Sequence, residues 1–380
     1  QNILQEDIDS VIDVLKSDFL TQGPKVPEFE KAVCDYTGAK YAVAVNSATS
    51  ALHIACLALD VAKGDVVWTT PITFVASANC ALYCGASIDF VDIDPLTYNL
   101  SIKSLREKLV QADKKGNLPK VVIPVHLCGQ PCDMESIYAL SQQYGFKIIE
   151  DASHAIGGKY KNESIGNGRY SDVTVFSFHP VKIITTGEGG MALTNNKVIA
   201  NRMELLRSHG ITRDPKKMTH EPDGPWYYQQ IGLGFNYRMS DIQAALGESQ
   251  LKRLDDIITR RHEISKQYNE QLSALPVKLQ LHSQDSYSGM HLYIIRLLND
   301  NITKSHKQIF QELRDEGISV NLHYIPVHTQ PFYQKMGFKK GDYPEAEQYY
   351  NEAITLPMYP QLEDRQIKQI VNLLNNILIS

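Results

Sequence analysis

One lysine and one aspartate are the residues most able to do chemistry, because each follows an apolar run typical of a buried strand. Lys182 ends the motif at residues 176–182 and precedes a glycine-rich turn at residues 187–190. Asp151 closes the run that begins at Phe146. A partly desolvated lysine amine can bond an aldehyde, and a carboxylate can keep a ring nitrogen protonated. The pair therefore indicates an aldehyde cofactor with a basic ring nitrogen.

Pyridoxal 5'-phosphate (PLP) is the cofactor that meets this description. Its ring acts as an electron sink only while the pyridine nitrogen is protonated, which a nearby carboxylate favours. We assign that carboxylate to Asp151, because strand alternation turns the neighbouring Glu150 to the opposite face. His154 is a candidate for the side of the ring that bears the hydroxyl group, although a core histidine would fit the same position.

The phosphate of such a cofactor needs hydrogen-bond donors. Ser47, Ala48 and Thr49 stand directly before an apolar helical pattern, where hydroxyls and free amides at a helix N-terminus favour an anion. Ser177 is a further candidate for the phosphate, and Phe74 could stack on the ring. Taken singly, such caps and aromatic side chains are also common in proteins that bind no ligand.

The six cysteines do not predict a metal site. Cys80 and Cys84 would share a helix face, but neither four-residue pair has the two-residue gap of a zinc knuckle. Buried thiols commonly act as small apolar side chains. We expect no metal.

The pattern along the chain predicts an α/β fold. Six short apolar runs alternate with helical patterns, at residues 41–45, 66–68, 88–91, 121–125, 147–149 and 173–178. Such alternation favours a mainly parallel sheet covered by helices, with ligands at the carboxyl ends of the strands. The candidate residues follow these runs, so we expect them at one edge of the sheet.

A long helical pattern from Ser240 predicts a connection between two domains, with a boundary near residue 255. We assign residues 1–255 to a large PLP-binding domain and residues 256–380 to a smaller α+β domain. The smaller domain is predicted to contain strands at 291–298 and 318–322 and helices at 304–316, 344–353 and 364–379. The polar loop at 212–228 carries Trp226 and is interpreted as a lid or a subunit contact.

Composition sets the class of protein. The 380 residues are 43% hydrophobic and 21% charged, with a net charge of −5, which provides no basic field for nucleic acid. No apolar run approaches the roughly 20 residues of a membrane span, and the polar first residues are unlike a signal peptide. We expect a cytoplasmic protein that binds neither nucleic acid nor membranes.

Together these motifs resemble the DegT/DnrJ/EryC1/StrS family of nucleotide-sugar aminotransferases over nearly the whole chain. The shared motifs are Asn46-Ser47-Ala48-Thr49-Ser50-Ala51-Leu52, Glu150-Asp151-Ala152-Ser153-His154-Ala155, residues 176–182 with 185–190, and Gly234-Phe235-Asn236-Tyr237-Arg238-Met239. The resemblance implies the fold-type I, aspartate aminotransferase-like architecture. The run at residues 178–190 looks most like the branch that makes UDP-4-amino-4,6-dideoxy-N-acetyl-β-L-altrosamine for pseudaminic acid.

The resemblance also implies roles position by position. Lys182 would be the Schiff-base lysine and proton shuttle, and Asp151 the partner of the pyridine nitrogen. The remaining implied contacts are Ala48, Thr49 and Ser177 with the phosphate, Phe74 with the ring, Asn236 with the phosphate from the second subunit of a homodimer, and Leu20, Thr21, His323 and Tyr324 with the substrate. Family members that dehydrate sugars carry histidine where this chain has Lys182, so the resemblance favours transamination from L-glutamate to a UDP-4-keto-sugar.

Two alternatives stay open and one is rejected. The same fold could act at C3 or on a dTDP- or GDP-linked sugar, because neither Lys182 nor Asp151 contacts the nucleotide. It could also bind PLP without turnover, as a regulator or scaffold. A dinucleotide-dependent oxidoreductase is rejected, because no predicted strand is followed by the spaced three-glycine turn of such enzymes.

Overall fold

The computed structural model describes residues 1–298 and 302–379, in which helices and strands alternate along the chain. The helices are α1 (Gln5–Leu15), α2 (Lys25–Thr37), α3 (Ala48–Ala58), α4 (Ala76–Tyr83), α5 (Ile102–Lys114), α6 (Met134–Tyr144), α7 (Lys197–Arg207), α8 (Asp241–Leu251), α9 (Leu254–Leu272), α10 (His306–Asp315), α11 (Pro331–Gln334), α12 (Pro344–Glu352) and α13 (Asp364–Ile379). The strands are β1 (Tyr41–Val45), β2 (Val66–Thr69), β3 (Ser87–Phe90), β4 (Val121–Ile123), β5 (Lys147–Asp151), β6 (Lys159–Tyr160), β7 (Glu163–Ser164), β8 (Val173–Ser177), β9 (Gly190–Thr194), β10 (Ile211–Thr212), β11 (Gln229–Gln230), β12 (Val277–Leu279), β13 (Ser286–Tyr287), β14 (Tyr293–Leu297) and β15 (Ala353–Leu356).

A seven-stranded sheet in the order β1-β9-β8-β5-β4-β2-β3 forms the centre of the protein. Neighbours from β8 to β3 pair in parallel, whereas β9 runs antiparallel to both β1 and β8. The predicted α/β class with a mainly parallel sheet is therefore confirmed. All six predicted runs lie on strands of this sheet, with ends that differ by up to two residues. Strand β9 was not predicted.

Helices cover both faces of the central sheet, and this explains its apolar strands. Along β1, Val43 and Val45 pack in one core cluster with α3, while Ala44 packs in another with α2. In the same way, Val175 and Phe176 on β8 face opposite sides. Both faces of β1 and β8 are thus covered, as is typical of a sheet that has helices on both sides.

The register of the sheet brings several strand ends to one edge. Val45 of β1 pairs with Gly190, and Gly190 also pairs with Ser177 at the end of β8. On the other side of β8, Val175 pairs with Asp151 at the end of β5. The chain segments that follow β1, β5 and β8 therefore start close together.

The C-terminal part contains an antiparallel sheet in the order β12-β14-β15. Helices α9, α10 and α13 contribute apolar side chains to its core, among them Tyr268, Leu313 and Leu374. The strand predicted at residues 318–322 is wrong. In that segment Asn321 makes an isolated bridge to Thr355, while the edge of the sheet is formed by β15, which follows α12 directly.

The long helical pattern from Ser240 corresponds to two helices, α8 and α9, that are separated by Lys252 and Arg253. The first turns of α9 pack in a core cluster of the large sheet through Leu254 and Ile258, whereas Ile264 packs in the core of the C-terminal sheet. Helix α9 thus contributes to both cores. The domain boundary near residue 255 stays a prediction.

The loop at 212–228 holds Trp226 with 72% of its surface exposed. All six cysteines are free thiols, and within residues 1–298 and 302–379 no group of three or more histidine, cysteine or acidic side chains is arranged to hold a metal ion. In the same ranges no helix is long and apolar enough to cross a bilayer.

Candidate active site

A cavity of about 320 Å³ opens at the sheet edge where β1, β5 and β8 end. Most of the residues that the sequence singled out lie around it. These are Ser47, Ala48, Thr49, Phe74, Asp151, His154, Ser177, Lys182, His323 and Tyr324. The cavity therefore combines an amine, a carboxylate, imidazoles, hydroxyls and an aromatic ring.

Lys182 lies in the turn after β8. The buried Phe178 anchors this turn, since its carbonyl oxygen accepts a hydrogen bond from the amide of Thr186, and the amide of Lys182 donates to the carbonyl of His179 at 2.9 Å. Loss of water around the amine lowers the pKa of Lys182 to about 8, although the negative charge of Asp151 opposes the shift. At this pKa roughly a tenth of the amines are neutral at pH 7 and about half at pH 8, and the neutral amine can attack a carbonyl carbon.

Asp151 is buried at the end of β5 with both carboxylate oxygens hydrogen-bonded. Ser77 donates to Oδ2 at 2.6 Å, and the amide of Ser153 donates to Oδ1 at 3.1 Å. Glu150 lies on the other face of the strand, where Nε2 of His126 is 2.9 Å from its Oε2. Of the two adjacent acids, Asp151 is the one that lines the cavity.

The start of helix α3 forms the wall next to β1. Ser47 caps this helix by accepting a hydrogen bond from the amide of Ser50 at 3.1 Å, and the following amides of Ala48 and Thr49 belong to the first turn, where intrahelical acceptors are lacking. Gly190 makes this wall possible, because a side chain there would place its Cβ 2.4 Å from the nitrogen of Ala48. The wall suits an anion.

His154 and Tyr324 meet on another side of the cavity. Their Nε2 and Oη atoms are 3.0 Å apart, and Nδ1 of His154 is buried without a partner among the described residues. Burial and the nearby positive charge of Lys182 hold the pKa of His154 well below its ordinary value. For the same reasons the pKa of His323 falls to about 4. Both imidazoles are therefore neutral at physiological pH.

Phe74 stands at the mouth of the cavity with 59% of its surface exposed. The centroid of its ring is 6.3 Å from that of Tyr324. A planar ligand inside the cavity would find this aromatic face available for stacking.

Three predicted residues lie outside the cavity of the single chain. Asn236 is exposed, and its carbonyl oxygen accepts a hydrogen bond from the side chain of Asn46 at 3.4 Å. Leu20 and Thr21 are also exposed, and Thr21 forms an isolated bridge with Ser240. The structure of one chain brings none of these three next to Lys182.

Sequence reasoning missed the hydroxyl groups behind Asp151. Ser77 lies in the first turn of α4 and Thr73 just before that helix, and their oxygens are 2.7 Å apart. Their four-residue spacing after the end of a predicted strand is a visible signal. Without the fold, however, it cannot be distinguished from an ordinary serine and threonine at a helix start.

Comparison with known proteins decides the family. Residues 1–375 match the sequence profile of the DegT/DnrJ/EryC1/StrS aminotransferase family. The chain belongs to this family. It is accordingly a PLP-dependent nucleotide-sugar aminotransferase of fold-type I.

Several curated relatives cover nearly the whole chain. An uncharacterised protein of Methanocaldococcus jannaschii is 40% identical over 98% of this chain and 95% of its own length. The spore coat polysaccharide biosynthesis protein SpsC of Bacillus subtilis is 37% identical over 98% and 94%. The UDP-4-amino-4,6-dideoxy-N-acetyl-beta-L-altrosamine transaminase of Campylobacter jejuni is 38% identical over 100% and 96%. The three identities are similar, so they do not rank one sugar above another.

Solved structures of similar proteins share the fold. The PLP form of Spr1654 from Streptococcus pneumoniae, assigned as a sugar aminotransferase, superposes with a TM-score of 0.88 at 29% identity, covering 99% of this chain and 96% of that one. PseC of Helicobacter pylori, an aminotransferase of pseudaminic acid biosynthesis, gives 0.89 at 31% identity, with 99% and 97% covered.

The residues around the cavity fit PLP. Lys182 would bond the aldehyde carbon, Asp151 would face the pyridine nitrogen, and the start of α3 would hold the phosphate with Ser177. The unpartnered, buried nitrogen of His154 leaves a hydrogen-bonding atom available for the cofactor. Each polar group of PLP thus has a chemically matched partner in the cavity.

Proposed function

We propose that this aminotransferase moves the amino group of L-glutamate to C4 of a UDP-4-keto-6-deoxy-N-acetylhexosamine and so makes UDP-4-amino-4,6-dideoxy-N-acetyl-β-L-altrosamine for pseudaminic acid. The observation that carries the proposal is the cavity that joins Lys182, with its lowered pKa, to Asp151 and to Tyr324. The likeness to the C. jejuni transaminase and to PseC supports this choice of sugar.

The amine of Lys182 has two tasks in this account. PLP, when bound, supplies an aldehyde that takes up the donor's amine and a ring that withdraws electrons from the reacting carbon. Lys182 would first hold the cofactor through its amine and, once released, would move a proton between the α-carbon of the donor and C4′ of the cofactor. Its lowered pKa suits this work, because an acid–base group is most effective when its pKa lies near the working pH.

The other cavity residues orient the reactants. Asp151 keeps the pyridine nitrogen protonated, and the first turn of α3 fixes the phosphate, so the reactive carbon stays next to Lys182. His323 and Tyr324 reach the same cavity from the C-terminal part of the chain. We assign them to the sugar, together with Leu20 and Thr21, which lie outside the cavity of the single chain.

We also propose a cytoplasmic homodimer with shared active sites. Asn236 is exposed and lies outside the cavity of its own chain, so its proposed contact with the phosphate requires the second subunit. Leu233, with 79% of its surface exposed three residues before Asn236, and the exposed Trp226 give this region apolar surface that a partner subunit would cover.

A panel of keto-sugars tests the proposal. Purified protein with PLP and L-glutamate is incubated with 4-keto and 3-keto sugars linked to UDP, dTDP or GDP, and amino-sugar products are measured by mass spectrometry. We expect kcat/KM for the UDP-4-keto-6-deoxy-N-acetylhexosamine to exceed that for every other sugar. A higher value for a 3-keto sugar, or for a dTDP- or GDP-linked sugar, would replace the proposed substrate. The Lys182→Ala variant serves as the inactive control.

A further inference from the structure

Behind Asp151, two buried hydroxyl groups form a chain that the proposed chemistry has not used. Oγ of Ser77 is 2.6 Å from Oδ2 of Asp151, and Oγ1 of Thr73 is 2.7 Å from Oγ of Ser77. Ser77 has no exposed surface and Thr73 only 2%. Thr73 also lines the cavity, so the chain of hydroxyls runs from the cavity wall to the carboxylate.

The direction of these hydrogen bonds follows from the groups themselves. An ionised carboxylate can only accept, so the single proton of Ser77 points to Asp151. Ser77 then has no proton left for Thr73, and Thr73 must donate to Ser77. The distances support this assignment. Oγ of Ser77 is 2.6 Å from Oδ2 of Asp151, whereas the alternative acceptor, the carbonyl oxygen of Phe74, is 3.3 Å away.

We propose that Ser77 and Thr73 are positioning residues that hold the Asp151 carboxylate turned towards the pyridine nitrogen of PLP. The amide of Ser153 fixes Oδ1 from one side and Ser77 fixes Oδ2 from the other. A carboxylate held at both oxygens has little freedom to rotate away from the ring. The inference rests on the proposed role of Asp151.

The two hydroxyl groups lie in the same short segment as the proposed stacking ring. Thr73 directly precedes Phe74, the proposed ring-stacking residue, and Ser77 lies in the first turn of α4. One short segment therefore carries the stacking ring and, through the hydroxyls, the orientation of the carboxylate. The other titratable side chains that line the cavity are those of Lys182, His154, His323, Tyr324, His179 and Glu188.

Removing a hydrogen bond to a charged group leaves that group less stable in its charged form. We therefore expect Ser77→Ala to lower kcat about tenfold, to leave KM for both substrates nearly unchanged, and to weaken PLP binding to the apoprotein by a similar factor. A merely structural role would not lower kcat while leaving KM unchanged.

Position 73 provides a second, conservative pair of variants. Thr73→Val keeps the shape and removes the hydroxyl, so it should reduce kcat and PLP affinity about threefold, whereas Thr73→Ser keeps the hydroxyl and should restore both. The matched control is Thr174→Val. Its hydroxyl donates to Glu150 at 3.1 Å, and Glu150 lies on the face of β5 opposite to Asp151, so the variant should leave kcat and PLP affinity unchanged.

The outcomes separate this inference from the proposed function. If Asp151→Ala loses activity while Ser77→Ala and Thr73→Val keep the wild-type kcat and PLP affinity, the two hydroxyl groups have no positioning role. The inference is equally overturned if Thr174→Val shows the same losses as Ser77→Ala. Full activity of Asp151→Ala would instead reject the proposed role of the carboxylate itself. Lower kcat and PLP affinity in Ser77→Ala and in Thr73→Val, with both restored in Thr73→Ser, would support the positioning role of the two hydroxyl groups.

Discussion

Tyr324 forms a hydrogen bond with His154, with 3.0 Å between Oη and Nε2. His154 follows strand β5 of the central sheet, whereas Tyr324 belongs to the C-terminal part of the chain. The segment with Tyr324 is fixed in turn, because Tyr349 donates to the carbonyl oxygen of His323 at 2.6 Å. The contact thus ties the two parts of the chain together across the active-site cavity.

Replacing Tyr324 with phenylalanine should reduce kcat/KM for the keto-sugar by roughly fivefold, the effect of one lost hydrogen bond between neutral groups. The ring and its packing against Phe74 would stay. The matched control is Tyr333→Phe, which removes a hydroxyl bonded to Asn79 at 2.6 Å in the core outside the cavity. Steady-state kinetics of both variants check this. Equal kinetics for Tyr324→Phe and wild type would show that the contact plays no part in turnover.

Attachment of PLP to the apoprotein should become faster as the pH rises towards about 8 and should level off above it. Only the neutral amine attacks, and burial has lowered the pKa of Lys182 from 10.5 to about 8. Absorbance after rapid mixing of apoprotein and PLP measures the rate at each pH. A rate that keeps rising to pH 10 would contradict the lowered pKa. Lys182→Arg, which stays protonated, should show no covalent attachment at any pH.

Asp7 should be important for stability and not for chemistry. It is fully buried and accepts hydrogen bonds from Ser249 at 2.7 Å and from Arg253. These bonds join α1 to α8 and to the link between α8 and α9. We expect Asp7→Asn to lower the free energy of unfolding in urea by about 2 kcal/mol at neutral pH. Asp9→Asn, at an exposed position on the same helix, should change it little.

The effect of Asp7 should also depend on pH. Burial alone would raise the pKa of Asp7, but the hydrogen bonds that it accepts outweigh burial and lower the pKa below its ordinary value of 3.8. Its contribution to stability is therefore complete above that value and is lost as the pH falls through the lowered pKa. A stability difference between wild type and Asp7→Asn that grows on acidification would have the wrong sign.

Mixing two inactive variants tests the shared active site. Lys182→Ala removes the amine from one chain, and Asn236→Ala removes the proposed phosphate contact from the other. If each site takes Lys182 and Asn236 from different subunits, random reassociation restores one intact site in half of the dimers, or about a quarter of the wild-type activity. Activity of refolded mixtures is compared with that of each variant refolded alone. If mixed dimers form but activity does not recover, each site would take Lys182 and Asn236 from the same subunit.

The sequence predicted the sheet edge well because strand ends and polar motifs coincide there. Asp151 and Ser177 each follow a run of buried apolar residues, and parallel strands bring such ends together. Strand β9 escaped prediction because it follows the glycine turn at residues 187–190 directly and could be interpreted as part of that motif. The predicted strand at 318–322 failed because the segment alternates buried Ile318 and Val320 with exposed Ser319 and Asn321, as a strand would, although it forms an isolated bridge and no strand.

Contacts between residues far apart in sequence could not be predicted. The hydrogen bond from Ser77 to Asp151 joins residues 74 positions apart, and that between Tyr324 and His154 spans 170 positions. Helix propensity also gave no sign that the pattern from Ser240 is interrupted at Lys252 and Arg253, because both residues suit a helix. The proposed role of Asn236 depends on a second subunit, so the family resemblance was its only source.

Transfer of isotope-labelled nitrogen tests the central claim most directly. L-glutamate labelled in its amino group is incubated with the holoenzyme and the UDP-4-keto-6-deoxy-N-acetylhexosamine, and the sugar nucleotide is analysed by mass spectrometry and NMR. We predict one labelled nitrogen bonded to C4 of the sugar with wild type and none with Lys182→Ala. Unlabelled sugar from the wild-type holoenzyme, or label at another carbon, would contradict the account.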